Sequence, residues 1–278
     1  MKKKITSIVL SLGLLSSVLL PQLPTAMAQQ NFDYDYDNKA IYSELTSEEL
    51  ETLQEEVGLT EEEVQNIPPH ILKNLIKQNA KVLASKTFIH KFDEGKNDKG
   101  RSVKSNDLTE LKLNGIAFAV KSDRKGYKKF YLYGNFEWLE SPRFMLTDKM
   151  TIGYPDTAKF FLPMKKGKPE QHENQYCIKT ITNPKWDCKT STEASDWEPG
   201  IGVAAEFDLR MGNRPQHAGY ISQYVYTEDT ESGTINIKFE YGHNRVIGTV
   251  GVSYSPFGLS IAPSNTTDVA SYGIEFKY

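Results

Sequence analysis

The stretch "KFYLYGNFEW", Lys129 to Trp138, puts aromatic side chains on both faces of one predicted strand. With period two, Phe130, Leu132, Phe136 and Trp138 share one side, while Tyr131, Tyr133, Asn135 and Glu137 share the other. The first side reads as core. The second admits three readings: Tyr-rich sheet surface, a second packed layer, or a surface that binds something. Any fold containing this strand must account for that far side.

From about residue 110 onward, runs rich in Val, Ile, Tyr, Phe and Trp alternate and are cut by Gly, Pro, Asn and Asp. Strands are predicted over 115–121, 127–138, 149–154, 202–209, 217–226, 234–241, 246–254, 258–262 and 270–277. This predicts a mainly β chain, with an antiparallel β-sandwich (or open barrel) over 110–278. The last five strands read as a meander, with "TEDTESGT" as a polar hairpin turn. Residues 155–200 have weak periodicity and read as a long excursion containing a short hairpin. Cys177 and Cys188 lie within it, and a bridge between them would close "CIKTITNPKWDC", a constraint of about 2 to 4 kcal/mol.

A small helical segment, 45–88, precedes a linker, 89–109. Thr46 with Glu49 and Thr60 with Glu63 are capping-box pairs, Leu50, Leu53 and Val57 form an apolar stripe, and Gly58 ends the first helix. Pro68-Pro69 sets off a third helix carrying Ile71, Leu72, Leu75 and Ile76. About 40 residues bury little by themselves, so this segment is expected to lean on the larger domain or on a partner. Charge is segregated, acidic over Asp33–Glu63 and basic over Lys73–Lys129. That pattern fits an acidic pro-segment resting on a basic surface, or two solvated helix faces. The acidic leader, 29–44, has Asp33, Asp35, Asp37 and Glu44 at positions 1, 3, 5 and 12 of a calcium loop. Asn38 stands where such a loop wants Gly, and a flexible leader is the plainer reading.

Lys2, Lys3 and Lys4 precede an apolar run, Ile8 to Leu20, and then Ala26-Met27-Ala28. This is the pattern of a secretory signal peptide (1–28), cleaved after Ala28, so a secreted, extracellular protein with no later transmembrane segment is expected. Loss of three lysines makes the remainder more acidic than the net −3 of the whole chain, which argues against nucleic-acid binding.

No G-x-S-x-G elbow, H-E-x-x-H helix, phosphate loop or dinucleotide fingerprint occurs, and no cofactor is implied. His217 and His243 fall near strand ends and are the nearest approach to a histidine metal pair. For an enzyme, Glu137 and Glu240 are the best pair, because glycosidases set two carboxylates about 5 to 10 Å apart on an aromatic-lined sheet. Strands with a wet outer face produce the same triplets, "FEW" and "FEY". For a binding protein, Tyr131, Tyr133, Asn135, Glu137, Tyr224 and Tyr226 offer flat rings with polar tips, suited to a glycan or a protein partner at the cell envelope. "RVIGTVGVSYSPFGLSIAP" alternates, is poor in charge and reads as a hairpin able to enter a membrane.

On "GLTEEEVQNIP", "YGNFEWLESPRFMLTD" and "YGHNRVIGTVGVSYSP" the chain resembles a loose group of exported proteins of Gram-positive bacteria. The resemblance implies export and a β-sandwich and supplies no catalytic residues. The leading expectation is a secreted non-catalytic binding protein acting at or outside the cell envelope, including in competition between bacteria. A secreted glycan hydrolase and a membrane-disturbing toxin are the alternatives.

Overall fold

The capping boxes form as the sequence predicts. In a computed structural model describing residues 44–93 and 108–278, the Thr46 and Thr60 hydroxyls accept from the Glu49 and Glu63 amides at 3.1 and 3.2 Å. Each glutamate accepts in return from its threonine's backbone N–H at 2.8 Å. Helix α1 (Ser47–Glu51) runs on into a π-helical turn (Thr52–Val57) and ends at Gly58, whose φ of +89° suits a residue without Cβ. Helices α2 (Glu61–Asn66) and α3 (Pro69–Lys77) follow. The predicted signal peptide, the leader up to residue 43 and the middle of the predicted linker lie outside the described residues.

The rest is antiparallel strand, in two sheets. Strands β1 (Lys81–Asp93), β2 (Leu108–Val120), β3 (Tyr127–Trp138), β4 (Thr147–Gly153), β5 (Met164–Lys165), β6 (Lys168–Pro169), β7 (His172–Lys179) and β8 (Asp187–Ser191) come first. Then follow β9 (Asp196–Glu198), β10 (Gly202–Asp208), β11 (Gln216–Glu228), β12 (Thr234–Asn244), β13 (Val252–Ser255), β14 (Gly258–Ile261) and β15 (Thr267–Lys277). The first sheet has the order β1-β2-β3-β11-β7-β8 and the second β15-β12-β4-β10-β9; β13 and β14 pair only with each other, as do β5 and β6. Neither sheet closes into a barrel.

The two sheets share one apolar core. Phe130, Leu132, Phe136 and Trp138 of β3 meet Ile235, Ile237, Phe239 and Tyr241 of β12. The closest fit is at Gly115 and Gly134, cross-strand partners in β2 and β3. A Cβ on either would come within 2.7 Å of the Phe239 ring, so the paired glycines form the notch that ring occupies.

Several expectations are corrected. Residues 81–93 form a long edge strand, where the end of a helical segment and a linker were expected. The last five strands are not a meander, because β11 belongs to the first sheet and β12 to the second; "TEDTESGT" carries the chain between sheets. The 155–200 excursion supplies β7, which lies inside the first sheet beside β11. Its hairpin with β8 brings Cys177 and Cys188 into register, and they form the expected disulfide.

The outer side of the first sheet is also apolar. Ile116, Phe118, Tyr131, Tyr133, Tyr220, Tyr224 and Tyr226 pack with Leu53, Val57, Val64, Ile67, Leu72 and Leu75 of the helical segment in a second core. Because Leu72 is fully buried there, Leu72→Ala should lower unfolding free energy by about 2 to 5 kcal/mol. In urea this should appear as a single transition with a lower midpoint; an early separate transition of the helices would show that they fold independently of the sheet.

Candidate functional site

The tyrosines proposed as a binding face are covered. Tyr131, Tyr133, Tyr224 and Tyr226 are each at most 8 % exposed, and their phenols are engaged by the chain's own groups. The Tyr133 hydroxyl and the Asn135 amide donate to the Asn66 carbonyl at the end of α2, each at 3.1 Å. The Tyr224 hydroxyl accepts from Asn74 at 3.0 Å and from Gln78 at 2.7 Å. Tyr226 donates to Asp123 at 2.8 Å. An open aromatic platform is therefore corrected to a sealed layer, since the apolar stripes of the helices need the same rings that a ligand would.

Two clefts lie open at its margins. One, of about 350 Å³, is lined by Asn135 and Glu137 together with Glu62, Lys112, Lys179 and Gln216. The other, of about 520 Å³, includes Tyr131 and Tyr224 with His70, His172, Glu173 and Ser222. Across its wall, His70 Nε2 meets Glu173 Oε1 at 2.7 Å and the Tyr220 hydroxyl donates to the same oxygen at 2.5 Å. Burial opposes ionisation of Glu173, yet these hydrogen bonds hold its carboxyl below the ordinary glutamate value. Burial pulls the His172 imidazole down to about 4 and does the same to His217.

The proposed catalytic pair is not a pair. Glu137 lies on the outer face of the first sheet, and Glu240 on the outer face of the second, with the shared core between them. Sheets stack about 10 Å apart before side chains extend away from each other, too far for two groups to flank one glycosidic bond. Glu240 instead accepts from the Ile261 N–H at 2.6 Å and the Ser271 hydroxyl at 3.1 Å. The two histidines face the shared core from different sheets and each has a partner of its own: His217 bonds Tyr176 in the first sheet, and His243 bonds Asp148 in the second, at 2.8 and 2.9 Å. Asp33, Asp35 and Asp37 lie outside the described residues, and Glu44 is exposed. Among the described residues, no three His, Cys, Asp or Glu side chains are grouped to hold a metal.

The suspected hairpin has a form that its sequence did not disclose. Residues 246–267 contain no Asp, Glu, Lys or Arg, and the bounding residues Arg245 and Asp268 pair at 3.2 Å. The turn at Pro256-Phe257 divides the segment into 246–255 and 258–267, ten residues on each side. Val252 is opposite Ile261 and Tyr254 opposite Leu259, while Ser253 is opposite Ser260; the Ala262 N–H to Gly251 carbonyl bond, 2.9 Å, carries this register one step further. One face is thus apolar and the other made of small or hydroxylated residues. Within 246–266 only 252–255 and 258–261 are strand, folded against the outer side of the second sheet, and Thr267 already belongs to β15.

That seat has a glycine floor. A Cβ on Gly153 would lie 2.1 Å from the Leu259 carbonyl oxygen, and one on Gly202 would lie 2.9 Å from Leu259 Cβ. Leu259 and Ile261 are buried, Glu240 tethers β14, and Asp148 accepts from the Asn244 N–H at the base at 2.9 Å. The opposite is true of Ile247, 95 % exposed, and Phe257, 83 % exposed; with Val246 and Tyr254 they make up four of the eight exposed large apolar side chains among the described residues. Among the described residues no helix is long and apolar enough to cross a membrane.

No family model and no curated protein matches the chain. Among solved structures it is similar to one titled "Pore forming protein" (TM-score 0.26, 7 % identity, covering 70 % of this chain and 95 % of that one). It is also similar to Clostridium perfringens delta-toxin (TM-score 0.23, 7 %, covering 71 % and 93 %) and to the Clostridium perfringens NetB toxin in its membrane-inserted form (TM-score 0.24, 8 %, covering 72 % and 97 %). Likeness this slight determines neither fold nor activity.

Gly153→Ala should displace β14, and Glu240→Ala should free the Ile261 amide; each should speed amide exchange over 250–262 more than in the strands of the first sheet, and equal protection would show that neither residue seats the hairpin. The histidines set a pH dependence. With folded values near 4 and unfolded values near 6.5, only the unfolded chain binds their protons between those limits. Stability should therefore fall as pH falls from about 6.5 to about 4, by at most about 1.4 kcal/mol per pH unit for each. Asp148, raised by burial despite its bond to His243, acts in the opposite sense at the acid end. Urea midpoints across that range should flatten in His172→Gln/His217→Gln; an unchanged slope would assign the acid sensitivity elsewhere.

Proposed function

We propose that this is an exported, non-catalytic protein that acts at a cell envelope by placing the 246–267 hairpin in a lipid bilayer. The observation that carries the reading is the hairpin's ten-residue arms, free of charge and joined at Pro256-Phe257. A membrane-crossing strand takes about 9 to 11 residues and alternates apolar with polar side chains. Extending the observed register puts Val246, Val250, Val252, Tyr254, Leu259, Ile261 and Pro263 on one face, interrupted toward the base by Gly248, Asn265 and Thr267. Thr249, Gly251, Ser253, Ser255, Gly258, Ser260, Ser264 and Thr266 fall on the other, with Ile247 and Ala262 as its apolar members.

The physical requirements are definite. Val250, Leu259 and Ile261, now buried, must leave the second sheet at a cost of about 1.5 to 3 kcal/mol each, which lipid burial offsets. A single hairpin would leave two unpaired edges in hydrocarbon, so several copies must close a barrel, about four or more for the smallest known barrels of eight strands. The separation of Glu137 from Glu240 removes the main support for a hydrolase. The signal-like start fits an exported site of action.

The test is release of a self-quenching dye from phosphatidylcholine–phosphatidylglycerol vesicles at micromolar protein. The unaltered chain should cause leakage. Val252→Lys, at a half-buried position in the apolar stripe, should abolish it while leaving circular dichroism unchanged, since a cation at mid-bilayer on a barrel's lipid face costs about 2 to 4 kcal/mol per copy. Absence of leakage by the unaltered chain, or full leakage by Val252→Lys, would overturn the reading.

A further inference from the structure

We infer that the end of the sandwich carrying the loops 139–146, 180–186 and 209–215 seats on the surface of an anionic lipid bilayer. The inference goes beyond entry of the hairpin, because this end is exposed without any release of β13 and β14.

Strand register places the loops together. Thr147 opens β4 opposite Asp208, the last residue of β10. Gln216 opens β11 opposite Lys179, the last residue of β7, and Ala218 lies opposite Glu137 near the end of β3. The loops are tied to one another: the Leu209 N–H donates to the Leu146 carbonyl at 3.0 Å, the Ile181 N–H to the Asn213 carbonyl at 3.1 Å, and the Ser141 hydroxyl to the Pro215 carbonyl at 2.6 Å. The hairpin's base is at the same end, since Gly242 of β12 pairs with Lys149 of β4 and the Asn244 N–H reaches Asp148 at 2.9 Å. From there the arms run back along the second sheet, Val250 lying over Gly242 and Leu259 over Gly153 at the far end of β4.

Five of the eight exposed large apolar side chains among the described residues stand at this end: Leu139, Ile181, Met211, Val246 and Ile247. Each tip has a cation close by in the chain: Arg143 after Leu139, Lys185 after Ile181, Arg210 and Arg214 around Met211, and Arg245 before Val246. The three loops and residues 245–249 hold these five cations and one acid, Glu140, in a chain whose net charge is −3. Asp187 matches Arg210 and Asp268 matches Arg245, while Glu140 accepts from the Glu110 N–H at 3.0 Å. Arg143, Lys185 and Arg214 are exposed.

Single exposed apolar residues are ordinary, but five gathered at one end are not. A protein partner fits poorly, because charged groups are depleted from the middle of such interfaces, and here cations stand among apolar tips on separate loops. A polyanion would use the cations and leave Met211 and Ile247 in water. A bilayer surface uses both, taking the tips between its headgroups and holding the cations against lipid phosphates.

Vesicle flotation tests this on the full chain carrying Val252→Lys, so that binding by an inserted hairpin is set aside. The protein should float with phosphatidylcholine–phosphatidylglycerol vesicles and bind phosphatidylcholine alone about tenfold more weakly or worse. Each cation near an anionic surface is worth about fivefold, so Arg143→Gln/Lys185→Gln/Arg214→Gln should weaken binding roughly a hundredfold. Lys121→Gln/Lys125→Gln/Lys166→Gln removes the same charge from exposed turns toward the other end and should change binding less than about twofold. Ile181→Asn/Met211→Asn, at exposed positions, should weaken it by about tenfold with thermal unfolding unchanged. Dye release plays no part in the readout, so failure of the hairpin reading and failure of this one are separate results. No flotation, flotation that survives loss of either set of loop residues, equal loss in the two charge variants, or binding to heparin in place of vesicles would overturn the assignment.

Discussion

A sheet with aromatic rings on both faces cannot leave one of them to water, and this constraint organises the molecule. The inner face of the first sheet is buried against the second sheet. Its outer face carries Phe118 and five tyrosines, and the three short helices exist to cover them. Tyrosine suits that position better than phenylalanine, because each phenol needs a partner when buried. For Tyr133 and Tyr224 the partners are helix groups, the Asn66 carbonyl at the end of α2 and the Asn74 and Gln78 amides along and after α3, while Tyr220 and Tyr226 donate to Glu173 and Asp123. The hydrophobic effect supplies the driving force, while the hydroxyls fix where each helix sits.

The second sheet solves the same problem differently. Its outer face is polar, with Lys149 paired to Asp196 at 2.6 Å and to Glu206 at 3.1 Å, and it needs no permanent cover. What lies on it is a hairpin seated over glycines and held by a few hydrogen bonds. The two outer faces therefore differ in the cost of exposure. Stripping the helices from the first sheet would expose a full aromatic layer, whereas lifting the hairpin exposes a mostly wettable surface. That asymmetry is what the proposed release of the hairpin would draw on.

Much of this was legible in the sequence. The capping boxes, Gly58 and most of the alternating strands after residue 110 are local signals that formed where the pattern placed them, whereas the strand expected over 246–254 is formed only from Val252. Strand β1 was hidden because a bulge between Val82 and Ala84 breaks its period and because Lys81, Lys86 and Lys91 give it the composition of an edge. Strand β7, "HENQYCIK", was hidden because its polar residues break the apolar alternation: His172 and Glu173 border a cleft, and the buried Asn174 and Gln175 are hydrogen-bonded to Glu193 and Thr190. The disulfide was readable from two cysteines in a presumed exported chain. The fate of the tyrosines was not, since period two reports which side a residue takes and not what lies above it. Glu137 and Glu240 misled for the same reason: both point outward, but from different sheets.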